Sequence, residues 1–426
     1  MTDPAMIDPR SFFSTLFSRA VAAADPALVM RDFLPDRPKG RTIVIGAGKG
    51  AAQMALAFER VWQWPIDRGL VITRYGYGTA CERVEVVEAA HPVPDDAGVE
   101  GSRRLFETVS GLNEDDLVVA LVSGGGSALL AAPPPGMELA DEIAVNETLL
   151  ASGAPISVMN VVRKHLSGIK GGRLALAARP ARVVTLVVSD IPGDDPAMVA
   201  SGPTVPSRAT RAEALAFVES CRLDLPDAAR RHLESAEADA PSSDDAGFAR
   251  NEVAIIASAA RSLEAAAKGA KANGIEAVIL SDAMEGEARE VAKVHAAIAR
   301  EIATRDRPFA RPVLLLSGGE TTVTVRGRPG RGGRNSEFLL AFALAAEGIP
   351  GIDAFAADTD GIDGSEDNAG VFADPGTLAR MRAAGIDPAA ALAGHDTWSA
   401  FAAADGLFVT GPTGTNVNDL RMLLIR

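Results

Sequence analysis

Two rhythms alternate along the chain. Short runs rich in Val, Ile and Leu, such as TIVIG at 42–46 and LVVALV at 117–122, are separated by longer Ala-rich segments. Continuous apolar runs of this length predict strands buried on both faces, and their alternation with helical segments predicts parallel sheets with crossover helices. A first series of strands is expected near 42–46, 69–73, 84–88, 117–122 and 183–189. A second is expected near 252–257, 275–280, 313–316, 321–325, 352–357 and 407–409. Between the two series, SAEADAPSSDDAGFAR at 235–250 is acidic and poor in large apolar residues, which is linker composition. The chain is therefore read as two α/β domains, 1–240 and 241–426. Its 426 residues also exceed the ~250–300 at which a single core stops growing.

The polar positions are as ordered as the apolar ones. Clusters of Gly, Ser, Thr, Asp and Lys fall at the carboxyl ends of the predicted strands: Gly46 to Lys49, Ser123 to Ser127, Ser189 to Asp195, Ser317 to Glu320, Asp358 to Asp363 and Thr410 to Asn418. Ligands of open parallel sheets bind outside those ends, where loops and helix N-termini present unpaired N–H groups. Turn-rich loops account for part of the pattern, but not for the repeated pairing of hydroxyl residues with glycine.

Charge and composition narrow the chemistry. Lys+Arg 42 against Asp+Glu 56 gives a net charge of −14, the wrong sign for a nucleic-acid or anionic-membrane binder. An anionic substrate must then meet a local cationic pocket. Cys81 and Cys221 are too few for a disulfide framework, and the five histidines never fall at zinc-binding spacing. The first residues lack the apolar run of a signal peptide, and no stretch approaches a membrane span. A cytoplasmic location is expected, with no nucleic-acid or membrane partner; assembly as a homo-oligomer stays open.

Individual motifs carry candidate roles. IGAGKGA at 45–51 fits the G-x-G-x-x-G/A spacing of a dinucleotide loop, and it also sets Lys49 in a glycine turn from which a lysine reaches a phosphoryl group. In VSGGGSALL, Gly124, Gly125 and Gly126 can line an anion nest, with Ser123 and Ser127 adding hydroxyl donors. NVVRKHLSGIKGGRLA concentrates Arg163, Lys164, Lys170 and Arg173; on a helix Arg163 and Lys170 lie seven apart, hence on one face, suited to carboxylate or phosphate. Asp190, just past a strand, is the single carboxylate that Mg²⁺ uses in phosphoryl transfer. His91 is a candidate acid or base whose neighbouring prolines fit a structural role equally well. Later in the chain, Gly318 and Gly319, the Arg331–Arg334 loop, and Thr413, Thr415 and Asn416 repeat the strand-end theme as phosphate- or substrate-binding candidates. The acidic run Asp358 to Asp367 looks superficially like a calcium loop but lacks the Glu at the twelfth position of an EF-hand.

Taken in order, GAGKGA, HPVPD, SGGGSALL, NVVRKHLSGIKGGRLA, SDIPGDDP, SGPT, LSGGETTVTV, GRGGRNSEF, DTDGIDG and TGPTGTNVNDL resemble the class II glycerate kinase family, also called the MOFRL family. The resemblance spans nearly the whole chain. It implies an N-terminal Rossmann-like domain with a parallel sheet, a C-terminal α/β domain with a mixed sheet, and a catalytic cleft between them. It further implies phosphorylation of D-glycerate by ATP with Mg²⁺, generally giving 2-phosphoglycerate. The family's catalytic lysine and arginine fall on Lys49 and Arg334.

A working mechanism combines both lines. Lys49 and Arg334 neutralise the transferring group, Asp190 holds the metal, the SGGGS turn binds phosphate or the glycerate carboxylate, and Asp360 accepts the substrate's hydroxyl proton. The main rival is an NADPH-dependent hydroxypyruvate reductase, favoured by GAGKGA and by Arg74 at the end of the next strand. A non-catalytic sugar- or nucleotide-binding protein is the third reading.

Overall fold

The computed structural model describes residues 7–154, 156–325, 327 and 330–426. The chain divides into two compact units. The first is Pro26–Ile256; the second is Ala257–Arg426 together with the N-terminal segment ending at Asp25.

The first unit is built on six strands: β1 Thr42–Ala47, β2 Arg68–Arg74, β3 Glu85–Ala89, β4 Leu117–Ser123, β5 Arg182–Val188 and β6 Glu252–Ala257, in spatial order β3-β2-β1-β4-β5-β6. The pairs β1–β2, β2–β3, β1–β4 and β4–β5 are parallel. Every residue of β1 and β4 is buried, as continuous apolar runs covered on both faces require. The strand order reverses between β1 and β4, so the loops that leave these two strands face a common crevice.

The second unit contains β7 Glu276–Ser281, β8 Gly286–Glu287, β9 Val313–Gly319, β10 Thr321–Thr322, β11 Ile352–Asp358, β12 Gly370–Ala373, β13 Leu407–Phe408 and β14 Asp419–Ile425. Its main sheet runs β13-β12-β11-β14-β9-β7, antiparallel except for the parallel pair β7–β9, and β8 and β10 form a separate two-residue bridge. The architecture is thus α/β with one parallel and one mixed sheet.

Several expectations change. The strand at 252–257 belongs at the edge of the first sheet, beside β5, rather than at the head of the second series. The strand expected over 321–325 is only Thr321–Thr322. Strands β8, β12 and β14 are additions. The segment at 235–250 packs into the first unit: Ala238 is buried, Phe248 lies against the core, and Arg173 donates to the carbonyls of Ala238 (3.3 Å) and Asp239 (3.1 Å). The helix Pro9–Ala22 joins the second unit because Phe12, Phe13, Leu16 and Phe17 pack among Leu263, Phe355 and Met422. Burying each such side chain contributes ~1.5–3 kcal/mol. Chain order alone does not reveal that pairing.

Candidate active site

In the first unit, hydrogen bonds fasten the loop after β1 to the end of β4, to the loop that follows it and to β2. Gly48 N–H donates to Ile72 O (3.1 Å), Lys49 N–H to Gly124 O (2.8 Å) and Gly50 N–H to Ser123 Oγ (3.0 Å). Thr73 Oγ1 donates to Lys49 O (3.2 Å). This fastening sends the Lys49 side chain across the triglycine turn. Gly125 has φ +77°, and a Cβ there would lie 2.9 Å from Lys49 Cγ, 3.1 Å from Lys49 Cε and 3.1 Å from His91 Nε2. Only glycine meets both demands. On the next residue, a Cβ at Gly124 would collide with the Asp190 carboxylate. Lys49, Asp190 and His91 therefore all lie against one turn, which opens the short helix Gly126–Leu129.

Sequence reasoning left the role of His91 open between acid–base chemistry and structure; it lies two residues beyond β3. Its burial, followed by the charges of Lys49 and Arg74, lowers its pKa to about 4. The imidazole is neutral at physiological pH.

Ser127 extends this turn inward through a polar relay. Its hydroxyl lies 2.9 Å from that of Ser201, Ser201 Oγ donates to Asn160 Oδ1 (3.2 Å), and Arg163 NH1 donates to the same oxygen (3.2 Å). Arg163 Nε also donates to Asn146 Oδ1 (2.8 Å), so the guanidinium braces this relay. Lys164, part of the basic cluster in the sequence but given no role there, is buried with Nζ 3.5 Å from Met198 Sδ, and burial lowers its pKa to about 8.

Lys170 and Arg173 are not brought onto the turn as substrate ligands. The helix carrying Arg163 ends at His165, so Lys170 does not continue its face. Lys170 instead forms a buried ion pair with Glu142 (2.7 Å). Arg173 donates to the carbonyls of Lys164 (2.8 Å) and Lys170 (3.1 Å) as well as to those of Ala238 and Asp239.

The second unit holds a separate ionic cluster. Arg334 opens the helix Arg334–Ala345, whose first N–H groups are capped by Asp363: Asn335 and Ser336 each donate to it at 2.8 Å. The Arg334 guanidinium donates to Asp419 (2.7 Å), Glu320 (2.8 Å) and Asp358 (2.6 Å). Asp419 also accepts from Asn335 Nδ2 (2.8 Å) and pairs with the fully buried Arg421. Burial pushes the Asp358 carboxyl up, against the opposing pull of Arg334. Asp360 caps its own turn, accepting from Ile362 N–H (2.8 Å).

Gly318 and Gly319 serve close backbone approach. Gly319 has φ +112°, and its Cβ would strike the Met284 backbone; Gly318 O accepts from Met284 N–H (3.1 Å). Thr413 Oγ1 donates to Thr359 O (2.5 Å), Thr415 Oγ1 to Ala24 O (2.7 Å), and Asn416 Oδ1 accepts from Asn418 N–H (3.1 Å). Thr413 and Thr415 thus tie their loop to the Thr359 and Ala24 segments, and Asn416 braces it from within.

Fold and strand-end geometry define an α/β protein in which Lys49 lies against a glycine turn at a sheet switch point. Residues 12–234 match the family model described as Domain of unknown function (DUF4147), and residues 313–419 match the MOFRL family. The chain is 38% identical to a D-glycerate 2-kinase of Thermotoga maritima, over 99% of this chain and 100% of that one. It is 39% identical to a glycerate 2-kinase of Pyrococcus horikoshii, over 91% and 88% respectively. A 50% identical protein of Agrobacterium vitis, matched over 98% of this chain and 95% of that one, carries a provisional hydroxypyruvate reductase name. The crystal structure of the T. maritima glycerate kinase aligns with TM-score 0.89 at 38% identity, covering 98% of this chain and 99% of that one. The chain belongs to the class II glycerate kinase family.

Proposed function

We propose that the protein phosphorylates D-glycerate from ATP in the presence of Mg²⁺, giving 2-phosphoglycerate, as a cytoplasmic enzyme. One observation carries the reading: Lys49 and Asp190, a cation and a carboxylate, both lie against the Gly124–Gly126 turn. Membership of a family whose members include glycerate kinases supports the substrate. Among the described residues no helix is long and apolar enough to cross a membrane, in keeping with small-molecule substrates in solution.

The residues divide the work as follows. The triglycine turn orients phosphate oxygens through backbone N–H groups, and Lys49 neutralises charge on the transferring group. Among the described residues no group of three or more His, Cys, Asp and Glu side chains is placed to hold a metal ion. A single carboxylate nevertheless suits Mg²⁺ whose other ligands are water and phosphate oxygens, and Asp190 is the residue that would hold it. Bound there, the ion would supply charge neutralisation on the phosphates. Turnover is also proposed to need Arg334. Its three carboxylate bonds use one N–H on each nitrogen, so both terminal nitrogens keep a second donor for an anion.

The reductase reading meets a physical obstacle. The N–H groups of Gly48, Lys49 and Gly50, which a dinucleotide loop would turn toward a pyrophosphate, are already bonded within the protein. Purified protein should form phosphoglycerate from glycerate and ATP and leave NADPH unoxidised with hydroxypyruvate. NADPH oxidation without phosphorylation would overturn the proposal.

A further inference from the structure

The triglycine turn has one neighbour that phosphate binding does not employ. His91 lies two residues beyond β3, and its Nε2 stands 3.1 Å from the Cβ position of Gly125, as does Lys49 Cε. The imidazole thus faces the space kept open by the absence of a side chain at Gly125. The rings of His165, His295 and His395 have hydrogen-bond partners inside the protein. Among the described residues none hydrogen-bonds the His91 ring, although it is half buried. A half-buried imidazole beside a reactive lysine, with both nitrogens unclaimed, is suited to meet a ligand.

We infer that His91 accepts the proton of the substrate hydroxyl, an inference that rests on the phosphotransferase reading above. The hydroxyl oxygen forms a bond to the terminal phosphorus of ATP as its proton passes to His91 Nε2. The bond from that phosphorus to the bridging oxygen breaks, and ADP leaves with the electron pair. The imidazolium then returns the proton to solvent. The charged groups that act on the ring are Lys49, from the loop after β1, and Arg74, at the end of β2, while Asp190 lies on the adjoining Gly124. Both cations disfavour a third positive charge, so the imidazole waits in its accepting form. Anionic substrates in the turn offset those cations and raise its proton affinity when transfer takes place.

The test uses the full-length enzyme and its His91→Ala and His91→Gln variants with glycerate and ATP. Turnover should fall by roughly 10²-fold, with KM for ATP changed less than about threefold and the melting temperature preserved. Between pH 6 and 9 the wild-type turnover number should be nearly flat, whereas that of the variants should climb with pH as ionised hydroxyl replaces the lost base. Added imidazole should restore activity to His91→Ala and leave the wild type unaffected. Full activity in His91→Ala overturns the inference. So does a loss that is flat with pH and insensitive to imidazole, which marks a structural role, or a pH-dependent loss that appears instead in Asp360→Asn. A wild-type protein that does not phosphorylate glycerate overturns the function and this inference together. An active wild type with an indifferent His91 overturns the inference alone.

Discussion

Lys49 is held by its backbone, not by its ammonium. Its N–H bond to Gly124 O and its carbonyl bond from Thr73 survive truncation of the side chain. Lys49→Ala should therefore keep the circular dichroism and melting temperature of the wild type while turnover falls by roughly 10²–10³. Near-normal turnover in a steady-state assay would remove Lys49 from the chemistry. Asp190→Asn should shift the Mg²⁺ titration of activity to much higher concentration; an unchanged titration excludes it as the ligand. His295 shows the same scale acting on stability. Its Nδ1–H donates to Val291 O (2.8 Å) and its Nε2 accepts from Ser317 Oγ (2.9 Å). Burial lowers its pKa from 6.5 to about 4, with Arg421 adding to the effect. The unfolded chain then takes up a proton below about pH 6.5 that the folded chain refuses until about pH 4. The associated stability is full above that window and lost as the pH falls through it. Chemical denaturation at pH 7 and pH 5 should show a loss for the wild type larger by up to about 2 kcal/mol than for His295→Gln.

Elements decide which polar residues lie on the glycine turn and which hold the fold. The basic segment 160–175 reads from sequence as one cationic face. The helix stops at His165, and the following turns carry Lys170 to Glu142 and Arg173 to four backbone carbonyls. No local pattern announces that Glu142, 28 residues earlier, is the partner. The buried pair gives a direct test. Lys170→Met leaves the Glu142 carboxylate without its cation and should cost roughly 3–5 kcal/mol in urea unfolding. Adding Glu142→Leu should recover most of that loss, because a buried pair and a well-packed apolar pair are often comparable. A raised glycerate KM with intact stability would instead assign Lys170 to substrate.

At the scale of the whole molecule, the second unit depends on the last strand of the chain. All seven residues of β14 are buried, and the strand pairs with β11 on one side and β9 on the other. A chain ending at Asn418 loses Leu420, Met422, Leu423, Leu424 and Ile425 from the core. At ~1.5–3 kcal/mol each, that deficit approaches or exceeds the typical 5–15 kcal/mol stability of a domain. The truncated protein should show no cooperative unfolding of the second unit by calorimetry or hydrogen exchange. Retention of that transition would show that the central strand is dispensable. Strand β14 escaped the sequence reading because Asp419 and Arg421 interrupt its apolar run. They are tolerated inside because they neutralise each other, with Arg421 also bonded to Thr321 Oγ1 (2.9 Å).

The apolar runs by themselves determined most of the strands, the alternation with helices and the α/β class, because burial on both faces demands continuous hydrophobic sequence. Glycine-rich strings likewise marked the triglycine turn and Lys49, since close approach and positive φ leave few residue choices. Tertiary structure alone decided the rest. It joined the first helix to the last strands, drew 235–250 into the first unit, and matched Lys170 with Glu142 and Arg334 with Asp358 and Asp419. It also set His91 beside Lys49. Each of these pairings joins residues distant in sequence, and a charge reveals its partner only when folding has removed the water that would otherwise surround it.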